Sequence, residues 1–142
     1  MVPINYWAVI VSAVVSMAVG FLWYGPLFGK KWSELMGWGP MTPEKMAEMQ
    51  KKARPAYAIT FVGALLMAYA LAHTIVFAGA YLNVTGVSAG LQAAIWSWLG
   101  FVAPVTIGTV LWDGKPWMLW TLNAGYYLVN LVVMGIILSL WV

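Results

Sequence analysis

The chain of 142 residues is 63% apolar and only 8% charged, with a mean hydropathy of +0.85, which leaves too little polar surface for a water-facing domain. Lipid is therefore the expected main solvent. The net charge of +3 sits beside hydrophobic runs, where anionic headgroups are the nearer partner, and no nucleic-acid-binding motif is present, so nucleic acid is not an expected partner.

Four uncharged apolar runs cover residues 4–24, 56–82, 88–112 and 117–141. Each is about 20 residues or longer, and a helix rising 1.5 Å per residue then crosses a hydrocarbon core of about 30 Å. The chain is expected to be all-α, a single integral membrane four-helix bundle over residues 1–142. The first run is longer than the apolar core of a secretory signal, and residues 1–6 carry no Lys or Arg, so it is expected to stay as a span.

Charge sets the expected orientation. Lys30, Lys31, Lys45, Lys51, Lys52 and Arg54 lie between runs one and two, and Lys115 lies between runs three and four. The positive-inside rule places both stretches in the cytoplasm, with the N-terminus, the 83–87 link and the C-terminus outside. Tryptophans, which favour the membrane boundary, agree: Trp23, Trp32, Trp38, Trp112, Trp117 and Trp120 gather on the basic side, and Tyr6, Trp7, Tyr81 and Trp141 on the other. Trp96 and Trp98 fall inside a span and call for a packing partner or a ligand.

The first run carries small residues every four positions, Ala8, Ser12, Ser16 and Gly20, a row suited to close helix packing within or between chains. The connector 25–55 reads as two short cytoplasmic surface helices. In the first, Phe28, Trp32, Leu35 and Met36 recur at helical spacing while Lys30, Ser33 and Glu34 fall elsewhere, which suits an amphipathic helix lying in the interface. In the second, Thr42 is the expected N-cap, Pro43 the first helical residue and Glu44 a first-turn anion, with Glu48 and Lys52 as an i, i+4 pair. Arg54-Pro55 is expected to end it, and Pro55 or Ala56 to open the second span. Lys30, Lys31, Lys51, Lys52 and Arg54 are candidates for anionic lipid, at about 1 kcal/mol per suitably placed cation.

In the second run Ala64, Ala68 and Ala72 form another small row. The 83–87 link contains Asn83-Val84-Thr85, a glycosylation pattern in a loop too close to the membrane to be a good acceptor. The third run has Ala93, Ser97, Gly100, Pro104 and Gly108 at similar spacing, and Pro104 deprives the Gly100 carbonyl of its helical donor, so a kink is expected. The kink either fits the helix around its neighbours or serves gating.

Interior polar groups are the candidates for chemistry. By rise per residue, His73 lies about 14 Å below the outer end of the second span and Asn130 about 20 Å above the inner end of the fourth. Tyr69 and His73 share a helix face, as do Asn123, Tyr126, Tyr127 and Asn130, so a midplane polar seam of Tyr69, His73, Asn123, Tyr126 and Asn130 is expected, joined by Ser12 or Ser16 and by Trp96 or Trp98. Its ordinary role is interhelical hydrogen bonding; a ligand site is the alternative. One histidine, no cysteine and no carboxylate inside a span supply neither a metal site nor a nucleophile and base, so no metal, cofactor or catalytic residue is assigned. Without cysteine there are no disulfides either.

Leu22-Trp23-Tyr24-Gly25-Pro26 and Leu111-Trp112-Asp113-Gly114-Lys115-Pro116 are related in pattern, which either a duplicated hairpin or shared turn chemistry explains. The segment Gly20-Phe21-Leu22-Trp23-Tyr24-Gly25-Pro26-Leu27-Phe28-Gly29-Lys30-Lys31-Trp32, with Asn123-Ala124-Gly125-Tyr126 and Met134-Gly135, resembles the small bacterial membrane proteins of the domain of unknown function 1761 family. The resemblance extends over nearly the whole chain. It implies a multispan protein of the bacterial cytoplasmic membrane and brings no activity, cofactor or functional residue. Three function classes stand at this level. The first is a non-enzymatic module that associates with itself or another membrane protein; the second is a transporter, channel or carrier for a small neutral or weakly polar ligand; the third is a lipid-active enzyme near Asp113 and Glu34.

Overall fold

The computed structural model describes residues 2–141. Helix α1 spans Tyr6–Leu22 and is capped by the Asn5 side chain, which accepts from the Trp7 and Ala8 N–H groups. The same amide donates to the Trp141 carbonyl at 3.3 Å, tying the start of the first span to the end of the last. A π-helical turn, Trp23–Leu27, follows, and Gly25 there leaves helical geometry (φ −104°, ψ −105°) ahead of Pro26. Short α2, Gly29–Leu35, comes next, and then α3, Pro43–Leu82. The third span is broken into α4 (Gly86–Ser97), a second π turn (Trp98–Val102), α5 (Ala103–Thr106) and α6 (Gly108–Leu111). Helix α7, Trp117–Leu140, closes the chain. Four helical stretches, Tyr6–Leu27, Pro43–Leu82, Gly86–Leu111 and Trp117–Leu140, are long and apolar enough to cross a membrane. The protein is an all-helical membrane bundle.

The second helix of the connector differs from expectation at its end. Thr42 does cap a helix, accepting from Lys45 N–H at 3.2 Å, with Pro43 at its start and Glu44 in its first turn. That helix does not stop at Arg54-Pro55: it runs 40 residues through Pro55 into the second span. Proline removes one donor, for the Lys51 carbonyl, and both residues are exposed. At the basic end water can take over that carbonyl, so the break is not forced. Forty residues measure about 60 Å, twice a hydrocarbon core, so the first turns of α3 stand clear of the apolar bundle.

The core sets small residues on three spans against large ones on the fourth. Ala8, Ser12 and Ser16 of α1, Ala64, Ala68 and Ala72 of α3, and Ala89, Ala93 and Ala94 of α4 are buried, while α7 supplies Leu122, Tyr126, Leu131, Met134 and Leu138. Close approach culminates where α4 crosses α7: a Cβ on Gly135 would stand 2.5 Å from the Gly90 carbonyl oxygen. Only paired glycines fit there. The small row of the third span does not continue inward. Ala93 is buried, but Gly100 and Pro104 are exposed, because the π turn rotates the helix beyond it out of phase.

Candidate functional site

Both π turns begin with tryptophan, and both aim it at α7. Trp23 donates its indole N–H to the Leu122 carbonyl at 3.1 Å, and Trp98 donates to the Ala124 carbonyl at 2.7 Å. Two residues apart on α7, these carbonyls already serve the helix ladder and use their second lone pairs for the indoles. Trp120 adds a bond to the Thr106 hydroxyl at 3.1 Å, which holds the broken half of the third span against α7. Between the two tryptophans, the Tyr24 hydroxyl donates to Asn123 Oδ1 at 2.9 Å.

Rings close this cluster towards the basic end. Tyr24 lies 5.1 Å from both Trp32 and Tyr126, and Trp32 lies 4.7 Å from Trp38. Helix α2 thus folds Trp32 back over the Tyr24–Asn123 bond. Gly20 leaves room for the Tyr126 hydroxyl, which a Cβ there would meet at 3.1 Å.

The residues expected to form one seam occupy three places. Asn123 and Tyr126 belong to the cluster just described. Asn130, 1% exposed, lies deeper on α7, and Ser12, fully buried on α1, shares the same core. Asn130 Oδ1 and Ser12 Oγ have no hydrogen-bond partner among the described residues. Tyr69 and His73 point away: the buried stripe of α3 runs through Ala64, Ala68, Leu71, Ala72 and Ile75, and at 100° per residue His73 faces nearly opposite. His73 holds its ring through Nδ1, 2.9 Å from the Tyr69 carbonyl, and sits half-buried, edge-on to the Tyr69 ring at 4.5 Å and tilted against Phe77 at 6.0 Å. A carbonyl accepts only, so Nδ1 is the donor in this contact.

A lateral groove of about 430 Å³ opens between α3 and the third span where the π turn diverts the latter. Leu71, Thr74, Ser97, Phe101, Tyr127 and Leu131 line it. Of the cations singled out by sequence, Lys52 pairs with Glu48 at 2.7 Å and Lys31 with Glu34 at 3.7 Å, both on the surface. The Lys52 bond holds the Glu48 carboxyl below its ordinary pKa, and Glu48 raises that of Lys52. Lys30, Lys51 and Arg54 have no carboxylate within ion-pair distance among the described residues.

Sequence reasoning placed Trp23 at a boundary and left Trp98 unexplained; the structure makes them equivalent donors. Their signal was available as Trp23-Tyr24-Gly25 and Trp98-Leu99-Gly100, with Pro26 directly after the first and Pro104 four residues after the second. The likeness of residues 22–26 to 111–116 has no such counterpart in hydrogen bonding, since Trp112 sits in a turn with its side chain exposed. No curated protein and no solved structure matches the chain. The model for the family described as Protein of unknown function (DUF1761) matches residues 7–139, a stretch that includes both π turns and the whole α7 cluster, and the chain belongs to that family.

Proposed function

We propose that this protein is a non-enzymatic membrane module that works by associating with itself or with another membrane protein, its basic connector in the cytoplasm against anionic lipid and both termini outside. The observation that carries this reading is where the hydrogen bonds go. Inside the bundle, Trp23, Tyr24, Trp98, Trp120 and Asn123 use theirs to join helices, which leaves few groups for chemistry or a polar path. Outside, the third span and the Tyr69–His73 face of α3 present polar groups at hydrocarbon depth, where lipid tails cannot bond them. The test is subunit counting in bilayers at falling protein-to-lipid ratio. Association predicts a dilution-dependent oligomer; a monomer at every ratio, with no partner recovered by cross-linking in native membranes, removes the reading.

The groove beside Tyr127 favours a second reading, a binder or carrier of a small neutral amphiphile. Its apolar lining carries the Thr74, Ser97 and Tyr127 hydroxyls. Native mass spectrometry of protein released from membranes tests it, with Thr74→Trp, at an exposed position of the lining, filling the groove. A bound amphiphile lost in that variant supports the reading, and identical spectra for both proteins remove it.

A further inference from the structure

The third span is the odd member of the bundle: only 6% of its most apolar stretch is buried, against 44% for the fourth. Its backbone also loses hydrogen-bond donors at mid-span, away from the basic end. Pro104 has no N–H, so the Gly100 carbonyl loses its ordinary i+4 donor. In the π turn, Ala103 N–H reaches back five residues to the Trp98 carbonyl, and the next such bond, from residue 104 to the Leu99 carbonyl, is again absent. Side chains nearby do not compensate. Thr106 donates to the Val102 and Ala103 carbonyls, and Trp98 is committed to Ala124.

These carbonyls lie within the apolar layer. The Trp98 indole meets α7 at Ala124, seven residues and so about 10 Å inward of Trp117. Freed backbone at that depth is tolerated where protein or enclosed water covers it, not where it faces lipid. Leu99, Gly100 and Phe101 are exposed, and the apolar neighbours Ile95, Leu99, Phe101 and Val105 leave no hydrophilic channel for water. One turn away on the same face, Trp96 is 67% exposed, and its indole N–H has no acceptor among the described residues. At Gly100 no described atom lies within 4 Å of an added Cβ, so another backbone can come close.

We propose that this face, centred on Gly100, is the contact surface for a second copy of the chain, with the Trp96 indole N–H of each copy supplying a donor to the Leu99–Gly100 carbonyls of the other. A second copy is the occupant because donor and acceptor sit on one patch. An isologous two-fold contact requires that self-complementarity, and two chains inserted in the same sense have their axis along the membrane normal. The proposal rests on the self-association reading above and gives it a surface.

The absence of cysteine makes the test clean. In bilayers, single-cysteine Leu99→Cys protein is expected to cross-link between copies, and Val62→Cys on the outer face of α3 is not. Gly100→Leu is expected to abolish the dimer while leaving helicity and monomer stability intact, since an added Cβ meets nothing within 4 Å and the position is exposed. Gly63→Leu, equally unobstructed, is the control that keeps it. Trp96→Phe retains an aromatic ring without the donor and is expected to raise the dissociation constant about eightfold, the size of two average interhelical hydrogen bonds in lipid, one from each copy. Pro104→Ala restores the missing N–H and is expected to weaken the dimer as well. An oligomer that survives Gly100→Leu and cross-links through another face overturns this surface but not self-association. A chain that is monomeric at every dilution overturns both, whether or not another protein then binds Gly100.

Discussion

The third and fourth spans are similar in length and hydropathy, yet they are built on opposite principles. Helix α7 runs 24 residues without interruption; the indoles of Trp23 and Trp98 both donate to its carbonyls, and its own Trp120 donates to Thr106 of the third span. The third span breaks at Trp98–Val102 and again near Ile107, and most of its surface faces outward. The difference teaches that hydropathy selects which segments enter lipid, whereas side-chain size decides which one becomes the axle. Large residues on α7 enter gaps left by alanine, serine and glycine on the other three. In lipid, where burial gains little from the hydrophobic effect between helices, that fit carries the association.

The contrast breaks first at the glycine crossing. Gly135→Leu forces a side chain into the Gly90 backbone, which has no flexible end to move, and is expected to cost about 3 kcal/mol or more, enough to separate α4 from α7. Steric-trapping or denaturant unfolding in lipid bicelles measures it; a variant as stable as the parent would show that α7 is not the axle. Met134→Ala comes next. Its side chain is fully buried, and its truncation is expected to cost about 2–5 kcal/mol by the scale of buried cavities. Phe101→Ala, at a position 77% exposed on the third span, sharpens the contrast with an expected intrachain effect below about 0.5 kcal/mol. Trp98→Phe removes one indole bond and is expected to cost about 0.6–1.7 kcal/mol in the same assay.

How much of this was legible in sequence depends on the scale of the physics involved. The four spans and the Thr42–Pro43 helix start followed from local composition and 3.6-residue spacing and stand in the fold, where Ala8, Ser12, Ser16, Ala64, Ala68 and Ala72 are buried and Gly20 is half-buried. Passage of α3 through Pro55 was not legible, because whether a proline ends a helix depends on whether water can reach the orphaned carbonyl. Nor was the direction of His73. Its periodicity with Tyr69 showed that the two share a face, but which face turns inward was decided by the alanines at 64, 68 and 72. A polar side chain was assumed to avoid lipid, and packing of small residues outweighed it. For Asn123 the sequence supplied depth without a partner: Tyr24 comes from 99 positions away and reaches it only because Gly25 and Pro26 turn the chain back.

The smallest expected effect lies where α3 leaves the bundle, and it tests whether packing alone sets the difference between the spans. Glu48 and Lys52 form a close but exposed pair, the kind whose contribution to stability is slight and screened by salt. Because the folded state lowers the Glu48 pKa, whatever the pair contributes is present at neutral pH and disappears as pH falls through a value below the ordinary carboxylate range. Because the same state raises the Lys52 pKa, the contribution also disappears as pH rises through a value above the usual lysine range. Between these limits Glu48→Gln is expected to leave the unfolding midpoint of the bundle unmoved, while local amide exchange near Lys52 quickens. A midpoint that drops with the charge removed would mean that the extension of α3 docks on something in the folded protein, and that the basic end of the molecule shares in holding the spans together.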